Sequence, residues 1–236
     1  MERVLNQLVE RLSRTYQDRL TSVILYGSAA VGDHHGRFSD INVLCVLREV
    51  TPRELAESAG IFRWWRGLGN PAPLLLSGEE VRTSTDCFPI EFHDIQERRR
   101  VLHGEDVVAG LQIDESFYRA EVEHELRAKL LRLRQKAAGV LGDKDLLRTL
   151  LADSLSTFCT LFRHALRLAG RAAALEKREV IAQVRDQLGL DARPFEALLD
   201  LREGRIKARE IDPGPVLEQY MRGIQAVIDF VDRLEK

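Results

Sequence analysis

Five residues in the first hundred have the types and spacing to hold a polyphosphate and a divalent cation. In the stretch LYGSAAVGDHHGRFSDINVLCVL, residues 25–47, one strand-like run ends at Gly27-Ser28 and a second carries Asp40 and Asn42 two apart. Glycine lets backbone approach a phosphate closely. Ser28 can donate its hydroxyl and its N–H, and a helix starting there would add a favourable dipole end. Strand side chains alternate between faces. Asp40, Asn42, Leu44 and Val46 therefore share one face, and Ile41, Val43, Cys45 and Leu47 share the other. Residues 87–93 read as a further strand on the same logic. Phe88, Ile90 and Phe92 line its apolar face, while Glu91 and His93 point the opposite way. If the two strands are neighbours, Glu91 comes beside Asp40 and Asn42. Three oxygen-bearing side chains beside a glycine turn make a seat for Mg²⁺ carrying a triphosphate.

Other phosphate-binding loops are excluded. A Walker-type loop needs a lysine straight after its glycines, and the first lysine of this chain is Lys129. Gly27, Gly32 and Gly36 do not have the spacing of a dinucleotide fingerprint. Plainer readings stand beside the chemical one. Gly27-Ser28 can be an ordinary turn, Asp40 a strand-entry residue, Glu91 an edge-strand charge and Asn42 a structural amide. Asp33, Asp94 and Glu97 are nearby acids. His34-His35 read as a solvated loop, His103 as a turn residue, and Arg98-Arg99-Arg100 as a solvated segment. Trp64-Trp65 read as packing at a helix end, with base stacking the lesser alternative. Arg163 and Arg167, four apart, suit the negative end of a helix.

The elements that must position these residues follow from periodicity. Leu5, Leu8, Val9, Leu12 and Tyr16 recur at helical spacing, which predicts a helix over residues 2–17. Residues 22–26 (SVILY) and 39–47 read as strands. Thr51-Pro52 opens a helix reaching Trp65. Residues 73–76 are a short strand, and Ser77 with Glu80 has capping-box spacing for a short helix. Val101-Leu102 adds a last edge. Past about residue 113 strands disappear and four or five helical stripes follow, the last opened by Asp212-Pro213 or by Pro215. The expected architecture is an α+β N-terminal domain, a mixed sheet flanked by helices, over residues 1–112, followed by an all-α helical bundle over residues 113–236.

Composition narrows the class. The chain has 236 residues, a formal net charge of −2 and 31% charged residues, so no basic field points to nucleic acid. Three cysteines without metal-ligand or redox spacing, and no targeting pattern at the start, suggest a cytoplasmic protein. No run approaches the roughly 18 apolar residues that a membrane span needs. The apolar helices of the second domain offer a homodimer interface.

The motif set resembles the nucleotidyltransferase superfamily, the polymerase-beta-like fold of the kanamycin-type antibiotic nucleotidyltransferases and of the small MNT proteins paired with HEPN partners. The resemblance rests on Gly27-Ser28, Gly32 and Ser39-Asp40-Ile41-Asn42, and covers roughly residues 20–105. Residues 88–106 (FPIEFHDIQERRRVLHGED) look like the third-carboxylate strand and its sequel in bacterial members, and the helical second half is similar in kind to that of the antibiotic-modifying enzymes. The resemblance implies that Gly27 and Ser28 bind phosphate, that Asp40 is the first metal carboxylate, and that Glu91 is the third, binding metal or taking the acceptor's proton. The implied reaction is Mg²⁺-dependent transfer of a nucleoside monophosphate, AMP first among candidates, from a nucleoside triphosphate to a hydroxyl on a small molecule or a protein. Position 42 departs from the pattern. The family has Asp there, and Asn42 offers a neutral carbonyl without charge. A two-ion site is thereby weakened. The alternative expectation is an inactive nucleotide-binding or protein-interaction module, antitoxin-like or regulatory.

Overall fold

The computed structural model describes residues 1–31 and 41–234. Asp33, His34, His35 and Asp40 lie outside the described residues. The chain divides into two compact units, Met1–Ser116 and Phe117–Lys236.

The first unit is a four-stranded mixed sheet with helices on both faces. Its strands are β1 (Leu20–Tyr26), β2 (Asn42–Leu47), β3 (Leu74–Ser77) and β4 (Arg99–Gly104), in the order β3-β2-β1-β4. β1 runs antiparallel to both β2 and β4, and β2 runs parallel to β3. Alternation on β1 and β2 separates two cores, as period-two patterning requires. Val23, Leu25, Ile41, Val43, Cys45 and Leu47 pack with Leu5, Leu8, Leu12 and Tyr16 of α1 (Glu2–Tyr16) and with Ile61 and Trp65 of α2 (Pro52–Gly67). Ile24, Leu44 and Val46 pack on the other face with Val81 of α3 (Gly78–Thr83), Phe92 and Ile95 of α4 (Pro89–Glu97), and Val108.

The start of α2 is fixed by sequence chemistry. Thr51 caps it, Pro52 occupies the first turn, and Glu54 closes a capping box. Glu54 is buried, and Arg19 reaches it at 2.5 Å from the turn leading into β1. Tyr16 donates its hydroxyl to the Glu54 carbonyl at 2.8 Å, so α1, β1 and α2 are tied at one point. Ser77 and Glu80 form the expected capping box of α3.

Residues 87–93 are the clear departure from the strand reading. They enter α4, with Pro89 in the first turn and Phe88 before it. The seven-residue stretch is too short for periodicity alone to separate strand from helix. The missed signals were Pro89 at a helix start, the acid Glu91 in the first turn, and the Phe92–Ile95 spacing. The strand in sequel is β4, beginning at Arg99. His103 therefore lies in a strand opposite Val23, not in a turn. Gly104 does turn, at φ 73°, where an added Cβ would sit 2.0 Å from the Thr21 carbonyl oxygen.

The second unit contains α5 (Tyr118–Ala138), α6 (Lys144–Leu168), α7 (Lys177–Leu188), α8 (Arg193–Arg202) and α9 (Pro213–Arg233). α5, α6 and α9 pack on one another, and α7 and α8 pack on α6. Asp143 caps α6 by accepting from the backbone of Asp145 and Leu146. The core is aromatic. Phe158, Phe162, Phe195 and Tyr220 form a chain of ring contacts, the tightest being Phe195–Tyr220 at 4.7 Å between centroids. Gly223 makes room for it, because a Cβ there would lie 2.7 Å from the Phe195 ring. Near the end of α6, Arg163 is buried, and burial together with the Arg167 charge lowers its guanidinium to about 10.

Candidate active site

The candidate site is one end of the first unit's sheet, where β1 ends and β2 begins. Tyr26, the last residue of β1, lies opposite Asn42, the first of β2. Strand alternation puts both on the face of Ile24, Leu44 and Val46, the face that α4 covers. Gly27 follows Tyr26 directly. It adopts φ 76°, a left-handed conformation that glycine takes without strain. Its N–H donates to the Arg98 carbonyl at 2.9 Å, and its carbonyl accepts from the Ala30 N–H at 3.1 Å. The Gly27 donor is thus used within the fold. A Cβ on Gly27 would lie 3.3 Å from Asn42 Nδ2, so the Asn42 side chain runs alongside the turn. Ser28 opens a single 3₁₀ turn, Ser28–Val31, and stays half-buried.

Glu91 lies on α4, not on a neighbouring strand. It is exposed, while its neighbours Ile90 and Phe92 are buried in the core. Its charge is felt at Tyr26, whose phenol is pushed up to about 12, first by burial and then by Glu91. Gly27 and Asn42 thus adjoin Tyr26, and Glu91 lies within electrostatic range of its phenol. Asp40, two residues before Asn42, lies outside the described residues.

Several neighbouring residues have structural roles. His93 shares neither surface nor direction with Glu91. It is buried, with Nε2 2.9 Å from Glu115 Oε1, because a helix turns adjacent residues about 100° apart and a strand would have placed residues 91 and 93 together. The basic run is not a solvated segment. Arg98 is buried, Arg99 pairs with Asp106 at 2.9 Å, and Arg100 pairs with Glu2 at 2.8 Å. Trp65 is fully buried and donates to the Pro71 carbonyl at 2.8 Å, and the Arg11 guanidinium lies 4.4 Å over the Trp64 ring. Both tryptophans pack, as expected.

Among the described residues no three acids, histidines or cysteines cluster as a metal set. Of the described candidates, Glu91 carries a charged hard oxygen of the kind Mg²⁺ takes and Asn42 only a neutral amide, so Asp40 would have to supply the second charge.

No curated protein matches the chain in sequence. A solved structure of spectinomycin adenyltransferase from Enterococcus faecialis, with ATP and spectinomycin, aligns over 99% of this chain and 100% of its own, with TM-score 0.64 at 12% identity. At that identity the likeness speaks for the fold alone. The family profile described as nucleotidyltransferase domain matches residues 5–135, more than half of the chain. The sheet, the glycine turn and that match lead to one conclusion: this chain belongs to the nucleotidyltransferase domain family.

Proposed function

We propose that the chain transfers AMP from ATP to an acceptor hydroxyl, on a small molecule or a protein side chain, at a rate held down by Asn42. The observation that carries this reading is the Gly27 turn with Asn42 beside it at one sheet end of a nucleotidyltransferase domain. The solved adenyltransferase with ATP supports adenylate as the group moved.

In this reading the α- and β-phosphates lie over Gly27, and Ser28 donates its hydroxyl to them. The acceptor oxygen forms a bond to the α-phosphorus as the bond from that phosphorus to the bridging oxygen breaks, and pyrophosphate leaves. Glu91 takes the proton from the acceptor hydroxyl. An exposed carboxylate is accessible for that task, and its proton passes on to solvent. Asp40 and Glu91 are the charged groups that would hold magnesium, which supplies neutralisation of phosphate charge and polarisation of the α-phosphate. Asn42 adds no charge where the family has a carboxylate. Positioning by the chain is retained, and the electrostatic part is reduced.

Asn42 also favours a second reading, a nucleotide-binding module without turnover. One assay separates them. Labelled nucleoside triphosphates are offered with Mg²⁺ or Mn²⁺ to the wild type and to Asn42→Asp, and pyrophosphate release is followed. Slow release by the wild type that rises at least about tenfold in the variant supports the transferase. Release by neither, with nucleotide still bound, supports the module. No nucleotide binding by either removes both.

A further inference from the structure

We propose that Asn42 acts as a hydrogen-bond donor to the phosphate oxygens of a nucleoside triphosphate, not as a cation ligand, so that the site holds its nucleotide without requiring a metal ion. This rests on the nucleotide reading above and specifies what position 42 does within it.

The Asn42 carboxamide lies beside the glycine turn, 3.3 Å from where a Gly27 Cβ would be. A primary amide nitrogen carries two N–H groups, and its lone pair is delocalised into the carbonyl. Those N–H groups cannot coordinate a cation. They can donate to an anion. The turn itself is short of one donor, because the Gly27 N–H is committed to the Arg98 carbonyl. Asn42 supplies a donor at the same place, from the strand opposite Tyr26. It is half-buried, so its amide remains within reach of a ligand entering over the turn.

Charge points the same way. A carboxylate at position 42 would set a negative group against a triphosphate, and cations would have to stand between them. The amide removes that repulsion. An Asp-to-Asn change is therefore more than a weakened metal ligand. It converts a position that demands a cation into one that accepts the phosphate directly.

The test is calorimetric binding of α,β-methylene ATP, in which the scissile linkage is replaced, in excess EDTA and again in Mg²⁺. Wild type, Asn42→Asp and Asn42→Ala are compared, with thermal melts confirming that each is folded. The wild type is expected to bind in EDTA within about tenfold of its affinity in Mg²⁺. Asn42→Asp is expected to lose about tenfold or more in EDTA and to regain it in Mg²⁺. Asn42→Ala, lacking both donor and charge, is expected to weaken by about tenfold in both conditions, the scale of one hydrogen bond to a charged group. Wild-type binding that disappears in EDTA overturns the proposal and leaves the nucleotide reading intact. So does Asn42→Asp binding as tightly as wild type in EDTA. Absence of wild-type binding in both conditions overturns the nucleotide reading and the proposal together. The wild-type comparison needs no variant, so it decides even if a substitution fails to fold.

Discussion

Asn42 and Gly27 are coupled by space. Gly27→Ala meets two costs, a left-handed φ of 76° and a new Cβ 3.3 Å from the Asn42 amide. The expected loss is about 1–2 kcal/mol of stability, read from denaturant unfolding. The same substitution should weaken nucleotide binding by crowding the turn. Glu91 is a contrasting case. It is exposed, so Glu91→Gln is expected to change stability by no more than about 0.5 kcal/mol. In an Asn42→Asp background it should nonetheless abolish turnover, which a pyrophosphate assay checks. Glu91→Gln also removes a negative charge near Tyr26. The Tyr26 phenol should then titrate lower than about 12 but still above its ordinary 10.0, because burial is the larger cause. Ultraviolet difference titration against Tyr26→Phe would resolve it.

At the scale of elements, α2 and α4 hold the sheet from opposite faces, and each starts by a different device. α2 has a full capping box in which Thr51 and Glu54 serve each other. Thr51→Ala is expected to cost about 1 kcal/mol, measured by thermal or denaturant unfolding. α4 has no side-chain cap and relies on Pro89 and on burial of Ile90, Phe92 and Ile95. Its orientation decides that Glu91 is outside and His93 inside, which no strand could do. In the second unit, Gly223 on α9 gives way to the Phe195 ring. Gly223→Ala should improve helix propensity and still destabilise, because the 2.7 Å approach forces the ring to move.

For the molecule as a whole, ionisable groups held inside the fold set the pH limits of stability. Contacts with Thr51 first, and with Arg19, hold the Glu54 carboxylate down at about 2, against an ordinary 4.5. Its contribution is complete above pH 4.5 and is lost as pH falls towards 2. At the alkaline side the sign reverses. Burial pushes Cys45 up to about 12 from 9.0, and Tyr26 up to about 12 from 10.0. The unfolded chain releases these protons first, so stability is full below about pH 9 and declines as pH rises towards 12. Unfolding midpoints measured across pH should therefore fall at both ends, and Glu54→Gln should remove part of the acid slope.

Much of this architecture was legible in the chain. The α1 stripe, the Thr51-Pro52 start, the Ser77–Glu80 box and the change to helices in the second half are local patterns, and local chemistry determined them. The nucleotidyltransferase motif was equally local, since Gly27-Ser28 and the strand with Asn42 are close in sequence. What the tertiary structure decided is everything that depends on a distant partner. The short run from Phe88 to His93 became a helix because its apolar residues had the second sheet face to cover. Arg98 was buried in a run that reads as solvated. Asn42 came to lie with its amide against Gly27, fifteen residues away in sequence, because β1 and β2 pair with Tyr26 opposite Asn42. A residue's type states which hydrogen bonds it can make. Only strand register and packing choose what that residue is set beside.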